Sequence, residues 1–123
     1  DTLLDVGCAT GAITELFSCK VTGLDPSAEL LKLAKIPVVL GVSEELPFPD
    51  ASFDVVISLT AVHNFSDFKK GIAEMKRVAK RIVVITVLKK SKKFKEIETE
   101  IRRGLKVTGT IEDTQDRIFF CTP

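Results

Sequence analysis

The sequence predicts an α/β domain built on a mostly parallel sheet, and three observations carry that reading. Short apolar runs recur along its 123 residues, with segments of helical spacing between most of them. The first run, Leu3, Leu4 and Val6, passes straight into a loop of small residues, Gly7-Cys8-Ala9-Thr10-Gly11. The last two runs are separated only by Glu112 to Asp116, too short for a crossover helix, so they pair antiparallel.

Each element follows from local chemistry. Ala12, Ile13, Leu16 and Phe17 fall at helical spacing and predict a short helix directly after the loop. Lys20 to Asp25 reads as a second strand ending in an acid. Ser27 is the expected N-cap of the next helix, with Leu30, Leu31, Leu33 and Ala34 as its buried face. Ile36 to Leu40 is a third strand with Pro37 at its mouth, where no ladder hydrogen bond is lost. Residues 41–52, with two prolines and three acids, are irregular and lead into a fourth strand, Phe53 to Ser58. Thr60 to Phe65 form the loop at its carboxyl end. Ser66 is then the expected cap of a helix with Asp67 in its first turn and Phe68, Ile72, Met75 and Ala79 along one face. Ile82 to Val87 is a nearly continuous apolar run, as a strand covered on both faces should be. Lys89 to Leu105 is a helix with Phe94, Ile97 and Ile101 inward and Gly104 as its stop. Leu105 to Ile111 and Arg117 to Thr122 form the closing hairpin. Residues 1–123 thus make one domain without repeat or linker. Asp1 stands at the edge of a core strand and is not a methionine, so native residues upstream are expected to be missing.

Composition narrows the class. Apolar residues make up 45% and charged residues 28%, which fits a folded domain rather than a disordered chain. A net charge of +1 disfavours an electrostatically driven partner such as nucleic acid. No apolar run approaches the roughly 20 residues that span a bilayer, and no signal peptide opens the chain, so a membrane is not an expected partner. Cys8, Cys19 and Cys121 are odd in number and lack CxxC spacing, so neither a disulfide framework nor a metal site is indicated and a reducing cytoplasm is expected.

Open α/β sheets bind ligands outside the carboxyl ends of their strands. Asp25, at the end of the second strand, suits the hydroxyls of a ribose there; the alternative is that it only turns Pro26-Ser27 and caps a helix. The loop departs from the Gly-x-Gly-x-x-Gly of dinucleotide sites, with Ala9 and Ala12 at two of its positions. Asp5, just before the loop, disfavours a pyrophosphate and favours a cationic group. The pattern points to a cationic, phosphate-free adenosine ligand and sets a nicotinamide-dependent oxidoreductase behind it.

Leu4-Asp5-Val6-Gly7-Cys8-Ala9-Thr10-Gly11 resembles the first motif of class I S-adenosylmethionine-dependent methyltransferases, Asp-x-Gly-x-Gly-x-Gly. Gly23-Leu24-Asp25-Pro26-Ser27 is similar to their second-strand acid motif, and Glu45 to Ser58 resembles the segment entering their fourth strand. The resemblance covers Asp1 to about Val87. It implies a Rossmann-like α/β/α sandwich whose seven strands run 3-2-1-4-5-7-6 with strand 7 antiparallel. It also implies S-adenosylmethionine as cofactor, held by Asp5, Gly7, Cys8, Ala9, Thr10, Gly11, Asp25, Pro26, Val42, Ser43 and Ser58. Three departures stand out: Ala9 replaces the middle glycine, tolerable at negative φ; Val42 stands where the family often has an Asp that meets the adenine amino group; and the turn before the fifth strand is reduced to Ala79-Lys80-Arg81.

Methyl transfer is an in-line displacement that chiefly needs positioning, so no acid/base constellation is required. His63, the only histidine, is a candidate general base, against the alternative of a structural loop residue; Asn64 is a candidate for orienting the substrate. The wording of residues 46–58 looks most like small-molecule methyltransferases such as those of quinone biosynthesis, so a small-molecule acceptor is expected. Lys89, Lys90, Lys92, Lys93 and Lys95 read either as a solvated face or as a patch for RNA or a phosphorylated substrate. A cofactor-binding module without turnover, acting as a regulatory partner, is the reading from a different class.

Overall fold

Leu4 and Val6 face one hydrophobic cluster and Leu3 the other, so the first strand is buried on both sides and takes the middle of the sheet. The computed structural model describes residues 1–12 and 17–123; the helix expected from Ala12 to Phe17 falls largely on residues 13–16 and lies outside the described residues. The strands are β1 (Thr2–Val6), β2 (Lys20–Asp25), β3 (Val38–Leu40), β4 (Phe53–Leu59), β5 (Ala79–Leu88), β6 (Lys106–Glu112) and β7 (Asp116–Thr122). They form one seven-stranded sheet in the order β3-β2-β1-β4-β5-β7-β6, the order that the resemblance implied. β1 pairs parallel with β2 and β4, so Asp5 stands level with Gly23 on one side and Ile57 on the other. β7 runs antiparallel to both β5 and β6, as the short connection requires.

Two longer helices, α2 (Phe68–Val78) and α3 (Phe94–Gly104), cover one face of the sheet. Their buried residues, Ile72, Met75, Val78, Ile97 and Ile101, join Val56, Val83, Ile85 and Phe119 in the main core. The helix starts differ from expectation. Asp67, not Ser66, caps α2, its Oδ1 accepting the Lys70 N–H at 3.2 Å. α3 begins only at Phe94, with Lys93 at a cap position that makes no side-chain bond, so Lys89, Lys90 and Lys92 lie in the turns before it. A cluster of lysines opposes the positive end of a helix, and the chain defers the helix until past most of them.

α1 (Ala28–Leu31) is a single turn capped by Ser27, whose Oγ accepts from the Leu30 N–H at 3.3 Å. The buried face expected of it is absent: Leu30 and Leu33 are 38% and 68% exposed. One turn of helix presents no continuous stripe to the sheet: Leu30 and Leu33 turn outward while Leu31 and Ala34 are half-buried.

The irregular segment 41–52 is held by one guanidinium. Arg77 on α2 donates to the Leu46 and Phe48 carbonyls at 3.0 and 2.9 Å and pairs with Asp50 and Glu74 at 2.8 and 2.6 Å. Glu74 in turn accepts the Leu46 N–H at 2.9 Å. Truncating Arg77 leaves two carbonyls and Glu74 without this donor, so Arg77→Ala is expected to lower stability by about 2 kcal/mol in urea unfolding at pH 7. The Arg77 hydrogen bond, the largest influence on Glu74, holds that carboxyl below the usual glutamate range. The stabilisation is therefore present above the ordinary glutamate pKa and is lost as pH falls through the lowered value. The gap between wild type and Arg77→Ala is expected to narrow below about pH 4.

Candidate cofactor site at the carboxyl ends of the parallel strands

The loop after β1 folds back on β2. The N–H groups of Gly7 and Cys8 both donate to the Leu24 carbonyl, at 2.8 and 3.1 Å, and the Gly11 N–H closes the turn on the Cys8 carbonyl at 2.8 Å. Gly7 has φ +80°, and a Cβ there would come within 2.7 Å of the Ala61 Cβ, so glycine is needed both for its backbone and for contact with the loop after β4. A Cβ on Gly23 would meet the Cys8 sulfur at 2.5 Å; the glycine makes room for that side chain over β2.

Asp25 ties this loop to the start of α1. Its Oδ2 accepts the Ala9 N–H and its Oδ1 the Ser27 N–H, each at 2.9 Å, and the side chain is buried. Both sequence readings of Asp25 thus meet in one group: it organises the turn, and each oxygen retains a lone pair beyond the one already used. Asp5 is also buried, at the end of β1.

Three adjoining clefts run along the strand ends, all touching Gly7. The first, about 210 Å³, is bounded by Asp5, Cys8, Ala9, Thr10 and Leu59. The middle one, about 390 Å³, is bounded by Asp25, Pro26, Leu30, Thr60, Ala61 and Asn64. The third, about 110 Å³, is bounded by Val42, Ser43, Glu44, Phe65 and Ser66, with Pro26 and Asn64 shared. The outward turn of Leu30 now has a reason, since it supplies an apolar wall to the middle cleft rather than to the core.

Most of the residues singled out from the sequence come together here: Asp5, Gly7, Cys8, Ala9 and Thr10 at one end, Asp25, Pro26 and Asn64 in the middle, Val42 and Ser43 at the other. Three do not line the clefts. Gly11 is buried behind the loop as its closing turn. Ser58 is fully buried within β4, its Oγ without a hydrogen-bond partner among the described residues. His63 sits in the 3-10 turn Val62–Asn64, but only Asn64 of that pair reaches the clefts; the His63 Nδ1 is buried and has no partner among the described residues. Sequence reasoning passed over Leu59, Thr60, Ala61, Phe65 and Glu44. Thr60, at φ +54°, is a non-glycine residue held in the left-handed region, a signal visible only in the backbone.

Ala9 has φ +52°, so the negative φ that would make it an easy replacement for glycine is not what the loop adopts. A left-handed non-glycine residue costs about 1 to 2 kcal/mol, part of which glycine would return to the unfolded chain.

The site's field is negative. Burial pushes the Cys8 thiol up to about 12, and the Asp5 and Asp25 carboxylates add to the rise, in that order. A group placed beside that thiol meets two carboxylates. Such an environment fits a cation and hydroxyl donors and opposes a pyrophosphate. An adenosyl group carrying a sulfonium, with no phosphate, meets these requirements.

The comparisons with known proteins bear on the family and the fold. The family model described as a methyltransferase domain matches residues 4–87. An uncharacterized protein of Methanocaldococcus jannaschii is 40% identical over 84 residues, covering 65% of this chain and 33% of its own length. The demethylmenaquinone methyltransferase of Chlorobaculum tepidum is 38% identical over 87 residues, covering 63% of this chain and 36% of its own. A solved S-adenosylmethionine-dependent methyltransferase from Aquifex aeolicus superposes with a TM-score of 0.83 over 98% of this chain and 81% of that one; at 21% identity it speaks for the fold. The chain spans about a third of the length of these curated relatives. Among the described residues no helix is long and apolar enough to cross a membrane.

Ala9→Gly is expected to raise stability by about 0.5 to 1 kcal/mol in urea unfolding, whereas Gly7→Ala, strained and clashing, is expected to lower it by more than that. With iodoacetamide at pH 8, half-buried Cys19 is expected to react first. Cys8 and Cys121, whose thiols burial raises to about 12 and about 11, are expected to react only after denaturation, as read by mass spectrometry.

Proposed function

This chain belongs to the methyltransferase-domain family of class I S-adenosylmethionine-dependent enzymes, and on that premise we propose that it moves a methyl group from the cofactor to a small-molecule acceptor. The observation that carries the reading is the pair of buried carboxylates, Asp5 and Asp25, at the ends of neighbouring parallel strands on either side of the Gly7 loop.

The cofactor, when bound, supplies a methyl group already activated on a sulfonium. The chain's residues have the tasks of binding and alignment. The free lone pairs of Asp25 accept from the ribose hydroxyls, while its used ones hold the loop and α1 in place. Asp5 and the backbone of Cys8, Ala9 and Thr10 receive the cationic end. Pro26, Val42 and Phe65 give the base apolar contact, and Ser43 offers it backbone groups. Asn64, at the junction of two clefts, is the residue for orienting the acceptor through its amide. His63 has its Nδ1 buried and its side chain off the clefts, so proton removal by His63 would need the ring to turn. His63→Ala is accordingly expected to retain most of the activity.

The small-molecule acceptor is supported by the net charge of +1 and by the relative named as a demethylmenaquinone methyltransferase, whose name speaks of that protein. The lysine run keeps RNA as the second reading; the ion pair of Lys89 with Glu112 at 3.0 Å already neutralises part of it.

The test supplies methyl-labelled S-adenosylmethionine with a panel of hydroxylated quinones and phenols, and in parallel with RNA. Label in a small molecule is the expected result; label in RNA alone, or nowhere despite cofactor binding, contradicts the reading in favour of RNA or of a silent module. Asp25→Asn removes one acceptor and the charge, and is expected to weaken cofactor affinity at least tenfold in calorimetric titration while the circular dichroism stays that of the wild type.

A further inference from the structure

We propose that Glu44 reads the exocyclic amino group of the cofactor's base and so sets this chain's preference for adenosine over a deaminated nucleoside. The inference rests on the reading of the three clefts as the S-adenosylmethionine site, with the base in the third.

Val42, at the rim of that cleft, is 46% exposed and offers no side-chain acceptor. Among the side chains that bound the cleft, the polar ones are Ser43, Glu44, Asn64 and Ser66. Hydroxyls and carboxamides both donate and accept, so Ser66 and Asn64 adapt equally to an amino or to an oxo group. Ser43 directs its hydroxyl to the Glu44 Oε1 at 3.0 Å. Glu44 alone carries an acceptor-only group, and that is the chemistry that distinguishes a purine 6-amino group from a 6-oxo group.

The carboxylate is also held in position. Besides the Ser43 hydroxyl on Oε1, its Oε2 accepts the Asp67 N–H at 2.8 Å, and the residue is half-buried. Two donors, one per oxygen, fix the plane of the group without exhausting its lone pairs. A fixed acceptor loses little freedom on binding and cannot rotate away from an unfavourable partner. A 6-oxo group brought against it sets oxygen against oxygen, and a site whose polar group is left opposed in this way rejects the analogue.

The test titrates S-adenosylhomocysteine and its deaminated analogue S-inosylhomocysteine into the wild-type chain, Glu44→Gln, and Glu44→Gln combined with Val42→Asp. The wild type is expected to bind the adenosyl compound at least tenfold more tightly than the inosyl one. Glu44→Gln, whose amide donates as well as accepts, is expected to bring that ratio near one, and the added Val42→Asp to restore it by supplying an acceptor from the rim. Equal affinities in the wild type overturn the proposal, and do so even if the Gln variant fails to fold. A ratio unchanged by Glu44→Gln, with both affinities falling together, also overturns it and leaves Glu44 a structural part of the loop. Failure of the wild type to bind S-adenosylhomocysteine at all is a different result: it removes the cofactor reading itself, and with it this proposal.

Discussion

One carboxylate holds the carboxyl edge of this sheet together. Asp25 accepts one backbone N–H from the loop after β1 and one from the turn that opens α1. Asp25 adds to the bonds that Gly7, Cys8 and Gly11 already make along the loop, which turns through three residues at positive φ, and it anchors an α1 that is a single turn with no buried residue. A short helix is not stable by itself, and a strained loop persists only where its surroundings over-determine it. The group that organises the edge is therefore also a group that lines the middle cleft.

The sheet was legible in the sequence because its strands obey simple rules. Lys20–Asp25 has the predicted bounds, and β7 is antiparallel because so short a polar connection, residues 113–115 in the structure, permits nothing else. Helix starts were less legible. Ser66 and Asp67 are both good caps, and only the bond from the Lys70 N–H to Asp67 decides between them. The Arg77 clamp joins α2 to carbonyls about thirty positions away in sequence, a relation that no local pattern encodes.

The site divides in the same way. Residues at strand ends, Asp5 and Asp25, could be placed from strand periodicity alone. Residues in turns could not: His63 and Asn64 are adjacent, yet only one reaches the clefts, since sequence does not tell which side of a 3-10 turn faces outward. Leu30 shows a related limit, because helical spacing does not distinguish an apolar residue that faces a core from one that lines a surface cleft. Ala9 was visible as a departure but its φ was not, and its cost depends on that angle. Glu44 stands in the stretch read for Val42 but drew no role of its own, because one of the two donors that fix it comes from the start of α2, 23 positions away.

The central claim is that two buried carboxylates beside a glycine loop select a cationic adenosyl ligand without phosphates. Isothermal titration of the wild-type chain with S-adenosylmethionine, and in parallel with NAD, tests it most directly. The account predicts saturable one-to-one binding of S-adenosylmethionine and none of NAD at the same concentrations. Binding of NAD in preference, or no heat with S-adenosylmethionine from a folded chain, would contradict it.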